Sequence, residues 1–135
     1  MKGVNAMTSS KQPRKQRRAL YNMPIHQRKR WMTARFSQEL QHKHNRKRLS
    51  VVKGDTVRVV RGEFKGVEGE VTTLDRTNGR LTIDGVTREK ADGSTMFYPI
   101  HSSNVEITKI EEKDSWRVKI MERRRSIESD ESHID

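Results

Sequence analysis

From Leu49 onward the hydrophobic residues of this chain recur with a period of two. In DTVRVV, residues 55–60, Val57 and Val59 share one face while Thr56, Arg58 and Val60 share the other, the alternation of a half-buried strand. EVTTLD predicts a second strand over 70–75, and RLTID a third over 80–84. TMFYPI and NVEITKI supply one or two more, with Pro99 confining the first of these to an edge because proline cannot donate to a ladder. Glycines punctuate the strands. Gly62 and Gly66 bracket the tight connection RGEFKG, and Gly69 inside the second strand predicts a bulge or a close backbone approach. Asn78-Gly79 is a hairpin signal, since both residues tolerate positive φ, and Asp84-Gly85 and Asp92-Gly93 mark further turns. About five short strands in about 60 residues fit a small barrel better than a flat sheet, because closure removes exposed edges.

On either side of this region the pattern turns helical. Pro24, preceded by Asn22 or Met23, suits the first position of a short helix over about residues 24–32, since proline has no N–H to lose there. Ser37 suits the N-cap of a second helix through SQELQHKH, with Glu39 in its first turn. Both are too short to be stable alone in water, so they are expected to order mainly on a partner. After Ile110, Asp114 or Ser115 caps a further helix in which Trp116 and Ile120 stand four apart and the arginines at 123–125 sit near the C-terminal end. The last ten residues, SIESDESHID, are acidic and expected to be disordered. The predicted division is therefore 1–48, a basic arm with short helices; 49–110, the barrel; 111–125, a C-terminal helix; and 126–135, an acidic tail.

Charge changes this picture most. The 135 residues carry a net +11, with 30% hydrophobic and 35% charged residues, which suits one small core with long extensions. Residues 1–49 hold 14 Lys/Arg against the single acid Glu39, residues 50–110 hold 9 against 9, residues 111–125 hold 6 against 4, and the last ten hold four acids and no bases. Such an arm repels itself and needs a polyanion to settle it. An anionic membrane would need a continuous apolar face. Ile25, Trp31, Met32, Phe36 and Leu40 offer only a thin one, broken by His26, Arg28, Lys29 and Arg30, so nucleic acid is the better match. No run approaches the roughly 20 apolar residues of a membrane span, and MKGVNAMTSSKQ lacks the apolar block of a secretory signal. The absence of cysteine excludes disulfides and thiolate metal sites and fits the cytoplasm.

The arm's cations fall in clusters: Lys11, Arg14, Lys15, Arg17 and Arg18; Arg28, Lys29 and Arg30, followed by Arg35; then Lys43, Arg46, Lys47 and Arg48. Arginine dominates, and its planar fork grips phosphate and stacks on bases. Tyr21, Trp31 and Phe36 are interleaved, suited either to stacking on exposed bases or, for Phe36 equally, to packing the helices on the barrel. In the barrel, Arg61, Phe64 and Lys65 occupy the tight turn, where N–H groups of Gly62 and Gly66 stand near enough to meet a phosphate. Arg76 and Arg80 flank the Asn-Gly turn, and Arg88 and Lys90 precede the Asp-Gly turn. His101 suits a turn or an RNA contact. Enzymatic constellations are missing: GEFKGVEG lacks the Gly-Lys-Ser/Thr ending of a phosphate loop, and His42 and His44 are two apart, wrong for a helical metal pair. No catalytic residue, cofactor, metal or small-molecule substrate is expected.

GDTVRVVRGEFKGVEGEVTTLD, residues 54–75, resembles a KOW motif: an apolar strand, a basic-aromatic turn ending in Lys-Gly, then Gly-x-Val opening the next strand. PRKQRRALYN at 13–22, REKADGSTMFYPIHSSNV at 88–105 and WRVKIMER at 116–123 resemble one family around it. This is the universal large-subunit ribosomal protein called L-twenty-four in bacteria and L-twenty-six in eukaryotes, most similar here to archaeal members over residues 11–124. The resemblance implies an SH3-like barrel. It also implies a protein that binds large-subunit ribosomal RNA early in assembly and lies near the exit of the polypeptide tunnel, with neighbouring ribosomal proteins and nascent-chain factors at the exit as partners. A KOW-domain transcription elongation factor contacting polymerase or nascent RNA is the alternative. It would carry an α/β domain where the basic arm stands.

Overall fold

A computed structural model describes residues 8–131. The chain runs through α1 (Pro13–Tyr21), α2 (Ile25–Arg28), a 3-10 turn (Lys29–Met32), β1 (Thr33–Phe36), α3 (Gln38–His44), β2 (Arg48–Ser50), β3 (Thr56–Val59), β4 (Glu68–Asp75), β5 (Arg80–Ile83), β6 (Thr87–Glu89), β7 (Thr95–Phe97), β8 (Ile100–His101), a second 3-10 turn (Ser102–Asn104), β9 (Val105–Lys109) and α4 (Ser115–Glu131). Seven strands form one mixed sheet in the order β2-β1-β9-β3-β4-β5-β8, and β6 and β7 form a separate ribbon. The β1–β9 pair is parallel and its neighbours are antiparallel. The result is a small SH3-like barrel, as expected from the strand pattern and the resemblance.

The expected strands at 55–60, 70–75 and 80–84 are present as β3, β4 and β5, and the period-two residues Val57, Val59, Val71, Leu81 and Ile83 lie in the core. Gly69 is a close approach. A Cβ there would stand 2.2 Å from the Asp84 carbonyl oxygen and 2.9 Å from Ile83 Cγ2. The Asn78-Gly79 hairpin joins β4 and β5 as expected, although only one of its two residues adopts positive φ. Asp75 pairs with Arg80, leaving a loop of residues 76–79 in which Gly79 has positive φ and Asn78 does not. The Asp75 carboxylate explains this, because it accepts the Thr77 N–H at 3.0 Å and the Asn78 side-chain amide at 2.7 Å, winding the loop around itself.

The largest departure is in residues 32–48, counted on charge with the basic arm, together with Leu49 at the barrel boundary. Met32, Ala34, Phe36 and Leu49 are buried in the same core as the valines of the barrel. Rather than waiting for a partner, this segment supplies β1 and β2. In TARF, residues 33–36, Ala34 and Phe36 point inward and Arg35 outward. The expected helix after Ser37 exists as α3, although the Ser37 side chain makes no capping bond, and it ends on Asn45 in the left-handed conformation. Pro24 stands one position before the helix it was expected to open. Helix α1 was not foreseen. It buries no residue.

Helix α4 is capped by Asp114, whose Oδ1 accepts the Trp116 N–H at 3.0 Å. The face it buries is not the Trp116/Ile120 stripe. Arg117 and Met121 are buried, Ile120 is partly so, and Trp116 is exposed. Arg117 donates to both oxygens of the fully buried Asp55, and to the carbonyls of Ser50 and Glu111 at 3.1 and 3.2 Å. Asp55 also accepts the N–H groups of Val52 and Glu111, each at 2.9 Å. This cluster locks α4 onto β2 and β3. The helix continues through residues 126–131, so 123–125 lie in its middle and not at its end. The remainder of the acidic tail, 132–135, lies outside the described residues.

Candidate nucleic-acid interface

Arg14, Lys15, Arg17 and Arg18 stand exposed on α1, with Lys11 just before it and Tyr21, 83% exposed, at its last position. A helix of nine residues with a polar surface and no buried side chain has little to hold it in place. What fixes its end is Arg28. Its guanidinium donates to the carbonyls of Met23 at 2.8 Å, Tyr21 at 3.0 Å and Thr77 at 3.3 Å, and lies 6.0 Å from the centre of the Trp31 ring. Arg28 therefore ties the α1–α2 connection to the β4–β5 loop. Three of its five N–H donors are committed to carbonyls, which makes it a positioning group more than a free phosphate fork.

The consequence is a groove of about 510 Å³ lined by Arg17, Leu20, Tyr21, Arg28, Trp31, Thr77 and Asn78. His101 adjoins it, since a Cβ on Gly79 would lie 3.2 Å from His101 Nε2 and 3.6 Å from Trp31 Cβ. His101 Nδ1 is 2.8 Å from Ser103 Oγ, which orients the ring. Arg80 is the strand neighbour of His101, and Arg76 is exposed in the adjacent loop. Four of the residues singled out in the sequence thus line the groove, Arg17, Tyr21, Arg28 and Trp31, and His101 adjoins it. Leu20, Thr77 and Asn78 were not foreseen. Only Asn78 carried a signal, and it was one for chain reversal.

A second groove, of about 590 Å³, is lined by Arg35 of β1, Gln38 and Gln41 of α3, and Arg61. Sequence spacing gave no hint that these two arginines face one cleft. Lys65 is exposed on the same tight turn as Arg61. The expectation that Gly66 offers its N–H to a phosphate is not met, because that N–H donates to the Val59 carbonyl at 2.8 Å. Phe64 is half-buried and its ring packs on Tyr98 at 5.2 Å, with Arg88 5.9 Å from the other ring's centre. Lys90 is exposed at the end of the β6–β7 ribbon. Phe36, weighed as a base-stacking residue, is in the core. Lys29, Lys47 and Arg48 are exposed, as are Arg30 and Lys43, which both have partners, while Arg46 is half-buried and donates to the Ile120 carbonyl at 3.0 Å.

Cations beside exposed aromatic faces suit a ligand that offers phosphate together with flat bases. Among the described residues there is no cluster of His, Asp or Glu able to hold a metal ion, and no helix is long and apolar enough to cross a membrane. Compared with known families, residues 10–124 match the model described as ribosomal proteins L-twenty-six, eukaryotic, and L-twenty-four, archaeal.

Proposed function

The chain belongs to this ribosomal-protein family and so serves as a structural component of the large ribosomal subunit, in the cytoplasm; from that premise we propose that it works by binding large-subunit ribosomal RNA through the α1 groove and the cationic surface around it. The observation that carries this reading is the convergence of Arg17, Tyr21, Trp31 and His101 on one groove whose geometry Arg28 fixes. RNA offers phosphates, 2′-hydroxyls and splayed bases, and is recognised largely by shape. Helix α1 supplies charge toward the phosphates, and the β4–β5 loop and Trp31 supply a rigid floor against which a base or ribose can rest.

Binding early in assembly, near the end of the polypeptide tunnel, with neighbouring large-subunit proteins and exit-site factors as partners, completes the proposal, and it is what the family resemblance implies. The test is crosslinking in cells followed by sequencing of the attached RNA. Large-subunit ribosomal RNA joined to peptides from α1 and the β4–β5 loop is the expected result. Recovery with messenger RNA or RNA polymerase would instead favour an elongation-factor role and refute the proposal.

A further inference from the structure

Between β2 and the start of α4 lies a separate cavity of about 250 Å³ that shares no lining residue with the α1 groove. Lys29, Arg46 and Arg48 bring three cations to it, Leu49 and Ile120 add apolar surface, and Trp116 forms part of its wall. The one carboxylate among its lining residues, Asp114, is already engaged in capping α4.

Trp116 is 65% exposed, although its helix had buried positions to offer, at Arg117 and Met121. Lys119 Nζ stands 5.2 Å from the centre of the indole, holding the ring and adding a positive charge beside it. The cavity frame is rigid. Arg46 is pinned to the Ile120 and Arg48 carbonyls at 3.0 and 3.2 Å, and the Arg117–Asp55 cluster beneath fixes the first turn of α4. Preorganised cations with an exposed indole are the elements of a nucleotide site: charge for the phosphate and a flat face for the base. The volume falls just below the roughly 300–1,000 Å³ of sites that enclose drug-sized molecules, and suits one base, not a duplex.

We propose that this cavity captures a single unstacked nucleotide of the RNA the chain binds, its base resting on Trp116 and its phosphate on Lys29, Arg46 and Arg48. The inference rests on the RNA-binding reading above and adds to it a second contact point, at a cavity that shares no lining residue with the α1 groove. An acidic peptide would satisfy the cations but would leave the indole face unused.

The test uses the full chain. Affinity for a large-subunit ribosomal RNA transcript is measured by filter binding, and indole emission is followed during titration with dodecauridylate in a Trp31→Phe chain, where Trp116 is the sole tryptophan. Expected are saturable quenching of Trp116, about tenfold weaker transcript binding in Trp116→Ala, near-normal binding in Trp116→Phe, which keeps a stacking ring, and unchanged thermal unfolding in both. Transcript binding equal in Trp116→Ala and the parent, with unquenched Trp116, would overturn the cavity assignment and leave the RNA-binding reading standing. Failure of the parent chain to bind the transcript would overturn both. Quenching by an acidic glutamate peptide but not by RNA would make the cavity a protein-docking site and refute the nucleotide assignment.

Discussion

Two carboxylates show how much depends on single residues. Asp55 has no exposed surface and accepts the Arg117 fork together with two backbone N–H groups. Arg117→Leu removes the cation and leaves the charge buried, so a loss of about 3–5 kcal/mol is expected in urea unfolding. Arg58→Ala breaks a pair with Glu106 in which the arginine is half exposed, and is expected to cost no more than about 1 kcal/mol. Asp75 is the second case. The Asn78 side-chain amide, and then the N–H groups of Asn78 and Thr77, hold its carboxyl below its ordinary value of 3.8, aided by Arg28. A group whose folded pKa is depressed contributes stability that is fully present above its unfolded value and is lost as pH falls through the folded one. The β4–β5 loop therefore keeps its shape at neutral pH and loosens only in acid. In a carboxyl-detected NMR titration Asp75 is expected to show a midpoint below 3.8 that rises toward 3.8 in Asn78→Ala. The sequence flagged Asn78-Gly79 but not Asp75, because the dipeptide's local preference is readable while a carboxylate collecting three donors from Thr77 and Asn78 is visible only in the folded loop.

Among elements, β1 and α1 make the sharpest contrast, since both come from the basic arm and charge treats them alike. Phe36 on β1 is 1% exposed and sits beside Met32, Ala34 and Leu49 in the core, so Phe36→Ala is expected to cost about 3–5 kcal/mol. Helix α1 buries nothing, so replacing Arg14, Lys15, Arg17 and Arg18 with alanine is expected to change stability by less than about 0.5 kcal/mol while weakening RNA binding severalfold. Unfolding and filter-binding measurements on both variants check the contrast, and a large stability loss in the quadruple variant would show α1 to be part of the core. The alternation in TARF was available in the sequence, but four residues between two short helical segments give a weak signal. Its parallel partner β9 pairs Arg35 with Glu106 and Phe36 with Ile107, a contact between distant parts of the chain that no local pattern encodes. The strands β3, β4 and β5 were legible because each joins its neighbour through a short turn with its own glycine signature.

At the scale of the molecule, a barrel region with nine bases against nine acids carries the cationic surface of the arm. If about 8 Lys/Arg displace condensed counterions from RNA, the slope of log K against log salt is expected to be on the order of −6 to −7, and a filter-binding series across salt concentrations checks it; a slope near zero would refute phosphate contact as the main source of affinity. The sequence by itself determined the uneven distribution of charge, the period-two strands, their glycine turns and the family likeness, because charge, periodicity and turn chemistry act between residues close along the chain. Tertiary structure alone decided that residues 33–48 belong with the sheet, that Arg117 is buried and Trp116 is not, and that Arg28 joins α1 to the β4–β5 loop. Those outcomes depend on which distant segments share a core, and burial is a property of the whole packed set, not of any stretch of it.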